Sequence, residues 1–127
     1  MDPQDLAIVK GLVPVAWADG VFADREKEML DALLDAYKAT EQEKESLRAY
    51  ASQRRTLEDI ELQELSSDDR RLLLQHAVVL TFADGDQSLD EVAFLQALGR
   101  KLRIPDGEAA SIMQSAAARA RKHLHVI

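Results

Sequence analysis

The chain carries a template of itself. A shift of 65 positions lays Ala18-Asp19-Gly20 on Ala83-Asp84-Gly85 and carries Glu26 onto Glu91, Leu30 onto Leu95, Ala32 onto Ala97 and Leu33 onto Leu98. Without a gap, the same shift places Trp17 on Phe82, Met29 on Phe94, Glu43 on Glu108 and Leu47 on Ile112. A fixed internal period means one supersecondary unit used twice, each copy unable to bury its apolar face alone. The spacing predicts one domain over residues 1–127, with a first repeat at about 6–49, a connector at about 50–66 and a second repeat at about 71–114. Two such helix, Asp-Gly turn, helix units folded on each other about a pseudo-twofold axis give an all-α bundle of about six to seven helices.

Local signals agree. Asp2 and Pro3 open a first helix, Pro3 to Ala18, with Leu6, Val9, Leu12, Val13 and Ala16 at helical spacing. Pro14 is expected to kink or divide it near Lys10 and Gly11, because the ring removes a donor and crowds the carbonyl four residues back. A second helix starts at Asp24 with Met29, Leu30, Leu33, Leu34 and Tyr37 on one face, and Thr40-Glu41-Gln42-Glu43 is a capping box for a third helix through Gln53. A short amphipathic segment, Thr56 to Leu65, precedes Ser66 to Asp69 and an apolar helix from Leu72 to Ala83, expected to be the most buried. Ser88-Leu89-Asp90-Glu91 is another capping box, and Pro105-Asp106-Gly107 breaks the chain before the last helix. Strand signals are missing.

Composition narrows the function classes. At 127 residues the chain can close a core without staples, and with no cysteine it has neither disulfides nor thiolate chemistry. The N-terminus lacks the basic start and apolar run of a secretory signal, and no stretch is long and apolar enough for a membrane span, so a cytoplasmic location without membrane insertion is expected. A formal net charge of −7 argues against nucleic acid and favours cations or basic protein partners. Arg119, Arg121, Lys122, His123 and His125 crowd the C-terminus, where positive charge complements a helix macrodipole. With aromatic residues at 5% and a charged exterior, a monomer or weak homodimer is expected.

The chemistry concentrates at the two Asp-Gly turns. Gly20 and Gly85 suit the left-handed residue that ends a helix. Asp19 and Asp84 then sit beside free carbonyls, the unfavourable end for a carboxylate. Either the carboxylates cap the next helix, with Glu91 completing a box with Ser88, or they hold a cation through oxygen ligands. The residues leave both open. Asp84 to Asp90 imitates the middle of an EF-hand, but with Asp84 at the third loop position the first falls on Phe82 and the twelfth on Ala93, so both defining carboxylates are missing. His76 reads as a hydrogen-bonded residue of an apolar helix, and Trp17 and Phe82 as core anchors. Without a phosphate loop or nucleophile elbow, an enzyme is not expected.

The segment Ala-Trp-Ala-Asp-Gly-Val-Phe-Ala-Asp-Arg-Glu, echoed as Thr-Phe-Ala-Asp-Gly-Asp-Gln-Ser-Leu-Asp-Glu, resembles the TerB family of tellurite-resistance and stress-response proteins and a related domain of some co-chaperones. The resemblance spans roughly residues 6 to 122. It implies duplicated helical hairpins, no catalytic activity and an acidic surface associated with divalent cations (calcium, magnesium, manganese or zinc). Onto this chain that surface maps as Asp19, Asp24, Glu26, Asp84, Asp86, Asp90 and Glu91. The copies are unequal: Asp24 faces Leu89, while Asp86 and Asp90 face Val21 and Arg25, so the second turn is the richer. A protein-interaction adaptor with purely structural turns is the competing expectation.

Overall fold

The computed structural model describes residues 1–18, 20, 24–82 and 89–125, the last three as backbone only. Among these residues every regular element is helical. The order is α1 (Pro3–Ala16), α2 (Asp24–Ala36), α3 (Glu41–Ala51), two 3-10 turns (Leu57–Asp59 and Leu62–Glu64), α4 (Ser67–Thr81), α5 (Leu89–Lys101) and α6 (Asp106–His125).

The sequence period is also a period of the backbone. A shift of 65 takes the last residue of α1 onto that of α4, both ends of α2 onto those of α5, and the first residue of α3 onto that of α6. It even reproduces the termination of α2 and α5. Lys38 and Arg103 are left-handed, with φ of 60° and 59°. Around them Lys38 N donates to Asp35 O and Ala39 N to Leu34 O, matched by Arg103 N to Arg100 O and Ile104 N to Gly99 O. This is the Schellman arrangement, normally built on glycine. A side chain in that conformation costs about 1 kcal/mol, and both are exposed. Lys38→Gly and Arg103→Gly should therefore each stabilise the fold by about 0.5–1 kcal/mol, read as a rise in urea midpoint at constant slope. A fall would show that these side chains make contacts worth more than the strain.

The start of α3 is capped as the sequence predicts. Glu43 N donates to Thr40 Oγ1 (3.1 Å) and Thr40 N to Glu43 Oε1 (2.9 Å). Ser66 and Asp69 make the same reciprocal pair for α4. The segment from Thr56 to Leu65 is two 3-10 turns, the first held by a Thr56/Asp59 box. Arg70 ties the second turn down, donating to the carbonyls of Leu65 (3.2 Å) and Leu62 (3.0 Å), with a third, long bond to Leu102 O (3.5 Å). At the start of α6, Glu108 forks with Arg71 of α4.

The core is built where the repeats meet. α4 packs on α1, its counterpart in the other repeat, and on α6. Ile8, Val9, Leu12 and Val13 of α1 and Leu73, Leu74, Ala77 and Val78 of α4 are fully buried, and Leu95, Leu98 and Leu102 join them from the second repeat. Two expectations are corrected. α1 is at least as buried as α4, being covered continuously from Gly11 to Ala16. Nor is α1 divided at Pro14: the proline lies in its last turn, so only the bond to the Lys10 carbonyl is forgone and the helix runs through to Ala16. Gly11 marks the closest approach, since a Cβ there would lie 2.6 Å from Leu73 Cδ2.

The repeats differ in their third helix. α6 has 20 residues and α3 has 11. Small residues let α6 approach α5, where a Cβ on Gly99 would lie 3.3 Å from that of Ala109. The shift puts Leu34 and Lys44 at those places in the first repeat, and a cleft of about 470 Å³ opens between α2 and α3 over Trp17, Leu30, Leu34 and Leu47. Arg48 of α3 and Asp31 of α2 form an ion pair at its lip (3.4 Å).

Candidate functional site

Both Asp-Gly turns fall at the same joint, after the first helix of each repeat and before the second. The approaches match: Trp17, ending α1, has φ −91° and ψ 2°, and Phe82, ending α4, has φ −94° and ψ 10°. Gly20 has φ +86°, which confirms the expected positive-φ residue past the helix, and its amide donates to Trp17 O (2.8 Å). The Trp17 indole, half-buried, donates to the Ala51 carbonyl at 3.0 Å and so pins the end of α3 beside the first turn. Phe82 is buried. The reading of both aromatics as anchors therefore holds, one as a polar strut and one as packed core.

Of the predicted acidic residues, Asp19, Asp84 and Asp86 lie outside the described residues, as do Gly85 and Ser88. Asp24 is exposed, with Lys27 at 3.9 Å. Asp90 is exposed and Glu91 half-buried, both in the first turn of α5, where a helix dipole favours carboxylates. Glu26, grouped with the surface acids by sequence, is 6% exposed in the first turn of α2. Its spacing to Leu30, Leu33 and Leu34 places it on the apolar stripe, and that signal was available in the sequence. Among the described residues no three His, Asp or Glu side chains come together as a metal-holding group.

Two arginines from beyond the starts of the third helices lie beside the residues that follow α1 and α4. Three residues beyond α3, Arg54 Nη1 lies 3.9 Å from where a Cβ on Gly20 would be. The Arg121 guanidinium of α6 lies 5.5 Å from the centre of the Phe82 ring. Sequence reasoning gave the C-terminal basic cluster only a helix-dipole role and did not weigh Arg54. The shift of 65 carries Arg54 onto Arg119 and not onto Arg121, so the repeat gives no signal for the pair.

His76 behaves as expected for a lone histidine on an apolar helix. It is half-buried, shares a 3.4 Å hydrogen bond with Tyr37 OH, and burial lowers its pKa from the usual value. The Tyr37 hydroxyl is pushed up by burial and then by the charges of Asp5 and Asp69, which keeps it a donor. No helix among the described residues is long and apolar enough to cross a membrane. Comparison with protein-family models, with curated proteins and with solved structures finds no match to this chain.

Proposed function

We propose that the chain is a non-catalytic, TerB-like module of stress response whose two acidic turns form a binding surface for a divalent cation, a basic protein partner, or both. The observation that carries this reading is the identical placement of the turns by the backbone period: the chemistry repeats with the fold. Asp24 and Asp90 are exposed at the helix starts beside those turns, where a soluble ligand has access. Oxygen-only donors suit hard cations, held by several carboxylates, carbonyls and water. The cytoplasm is the proposed compartment.

A second reading is an adaptor whose Asp-Gly turns are structural and hold no metal; the Arg54 guanidinium near Gly20, which brings positive charge to the first turn without an ion, supports it. Thermal unfolding of chelator-treated protein, titrated with calcium, magnesium, manganese and zinc, separates the two. A cation bound only by the folded state stabilises it by about 2.7 kcal/mol at a hundredfold excess over its Kd. We expect one cation to raise the midpoint of the native protein and not of the Asp84→Asn, Glu91→Gln variant. Equal responses, or none, would leave the adaptor reading in place.

A further inference from the structure

We propose that the cleft between α2 and α3 is a binding site for a small amphipathic carboxylate, its apolar body lying over Trp17 and its charge held at the lip by Arg48 and Lys27. The proposal stands apart from the acidic turns and does not depend on whether they take a cation. Its warrant is a comparison of the chain with itself. In the second repeat the equivalent place is closed, because Gly99 and Ala109 let α6 come down on α5. The shift of 65 also sets Val92, Gln96 and Met113 where the first repeat has Lys27, Asp31 and Arg48. In the first repeat the larger Leu34 and Lys44 stand at the places of those two small residues, and ion pairs bridge the helices instead, Lys44 to Asp35 and Arg48 to Asp31. The space left is about 470 Å³.

The lining states what kind of molecule fits. Small-molecule pockets are typically about 300–1,000 Å³, mostly apolar, with a few polar groups that fix orientation. Leu30, Leu34 and Leu47 on the floor are buried parts of the core, and with the half-buried Trp17 they ask for an apolar ligand body, whose burial removes both surfaces from water. Among the described residues the lining carries two cations, Lys27 and Arg48, against one carboxylate, Asp31, on a chain whose formal charge is −7. The balance of charge at the lip is the reverse of the whole. Arg48 is 52% exposed and has five donors, so it can keep one edge on Asp31 and turn another to an incoming carboxylate. Asp24, 3.9 Å from Lys27, is 96% exposed and holds it weakly. A cationic ligand would meet like charges there.

Trp17 is the sole tryptophan of the chain, so its emission reports on the cleft directly. The probes are octanoate, 1-octanol and octyltrimethylammonium, which share a chain and differ in charge, each titrated below the concentration at which it aggregates. Octanoate should change the emission saturably, with an affinity about three- to fivefold above that of octanol, the effect of one exposed charge pair, and the ammonium should bind most weakly. Arg48→Gln should weaken octanoate about three- to fivefold, while Asp31→Asn should tighten it about two- to threefold by releasing Arg48, and neither should move octanol. A variant that merely fails to fold cannot bind more tightly.

The variant Lys27→Val, Asp31→Gln, Arg48→Met gives the lip the residues of the second repeat, and it should bind octanoate no better than octanol. No saturable response to octanoate, an equal response to the ammonium, or an octanoate affinity that Asp31→Asn leaves unchanged or lowers would overturn the proposal.

Discussion

Gly11→Ala should destabilise the protein by about 1 kcal/mol, and the same substitution should stabilise it by about 1 kcal/mol once Leu73 has been cut to alanine. Gly11 is inside a helix, where alanine is ordinarily better by about 1 kcal/mol. Here the added methyl would lie 2.6 Å from Leu73 Cδ2 and 3.2 Å from Cδ1, far inside contact distance. A flexible side-chain end usually moves aside cheaply. Leu73 is 0% exposed and fixed by the rest of the α1–α4 seam, so its retreat displaces other core atoms. Overpacking of this kind costs about 1–3 kcal/mol, more than the propensity gain. Leu73→Ala alone should cost about 3 kcal/mol or more through the cavity it leaves, and that cavity is where a Gly11→Ala methyl points. A double-mutant cycle by urea unfolding should give a coupling of about 2 kcal/mol. Additive effects would mean that the seam is looser than its geometry.

Arg70→Met should cost about 2–4 kcal/mol, a large effect for a residue outside the apolar core. Its guanidinium is the common donor for two carbonyls of the second 3-10 turn and its cap, Leu62 and Leu65, and for that of Leu102, the residue after α5. Removing it strands acceptors in a partly buried place, while methionine keeps much of the stem packing. Arg70→Lys should recover less than half of the loss, because one ammonium cannot reproduce a planar fork aimed at three carbonyls. Amide exchange should show the damage concentrated between Thr56 and Leu65. Uniform loss across all helices, or full rescue by lysine, would show that Arg70 contributes only charge or bulk.

The period explains how much of this could be read in advance. The helix count and the N-terminal box at Thr40 follow from residue identities at short range, and those rules depend little on tertiary context; Ser66 to Asp69 reads as a polar start and proves to be a full box, while the box expected at Ser88 lies outside the described residues. The corrections came where packing decides. Pro14 cannot reveal from sequence that so little helix follows it, and Gly11, read as a weak point beside that proline, is the groove that receives Leu73. For the site, the acidic residues were visible as a pattern, but the sequence did not separate Glu26, buried on the apolar stripe, from Asp24, exposed two residues earlier. Arg54 was invisible because its relation to Gly20 depends on the Trp17 to Ala51 bond, a contact across 34 positions.

The seam between α1 and α4 has a consequence for how the chain comes to be folded. The principal apolar faces belong to equivalent helices of opposite repeats, so neither half owns a finished interior. As the first repeat emerges during synthesis, Ile8, Val9, Leu12 and Val13 have no α4 to cover them, and the chain must carry that sticky face until most of its length exists. Closing the seam means forming a loop of about 65 residues before the central contacts reward it, which makes this helical protein slower to fold than bundles stitched from neighbouring hairpins. The same topology makes the two halves complementary: severed within the connector, each offers the surface the other lacks.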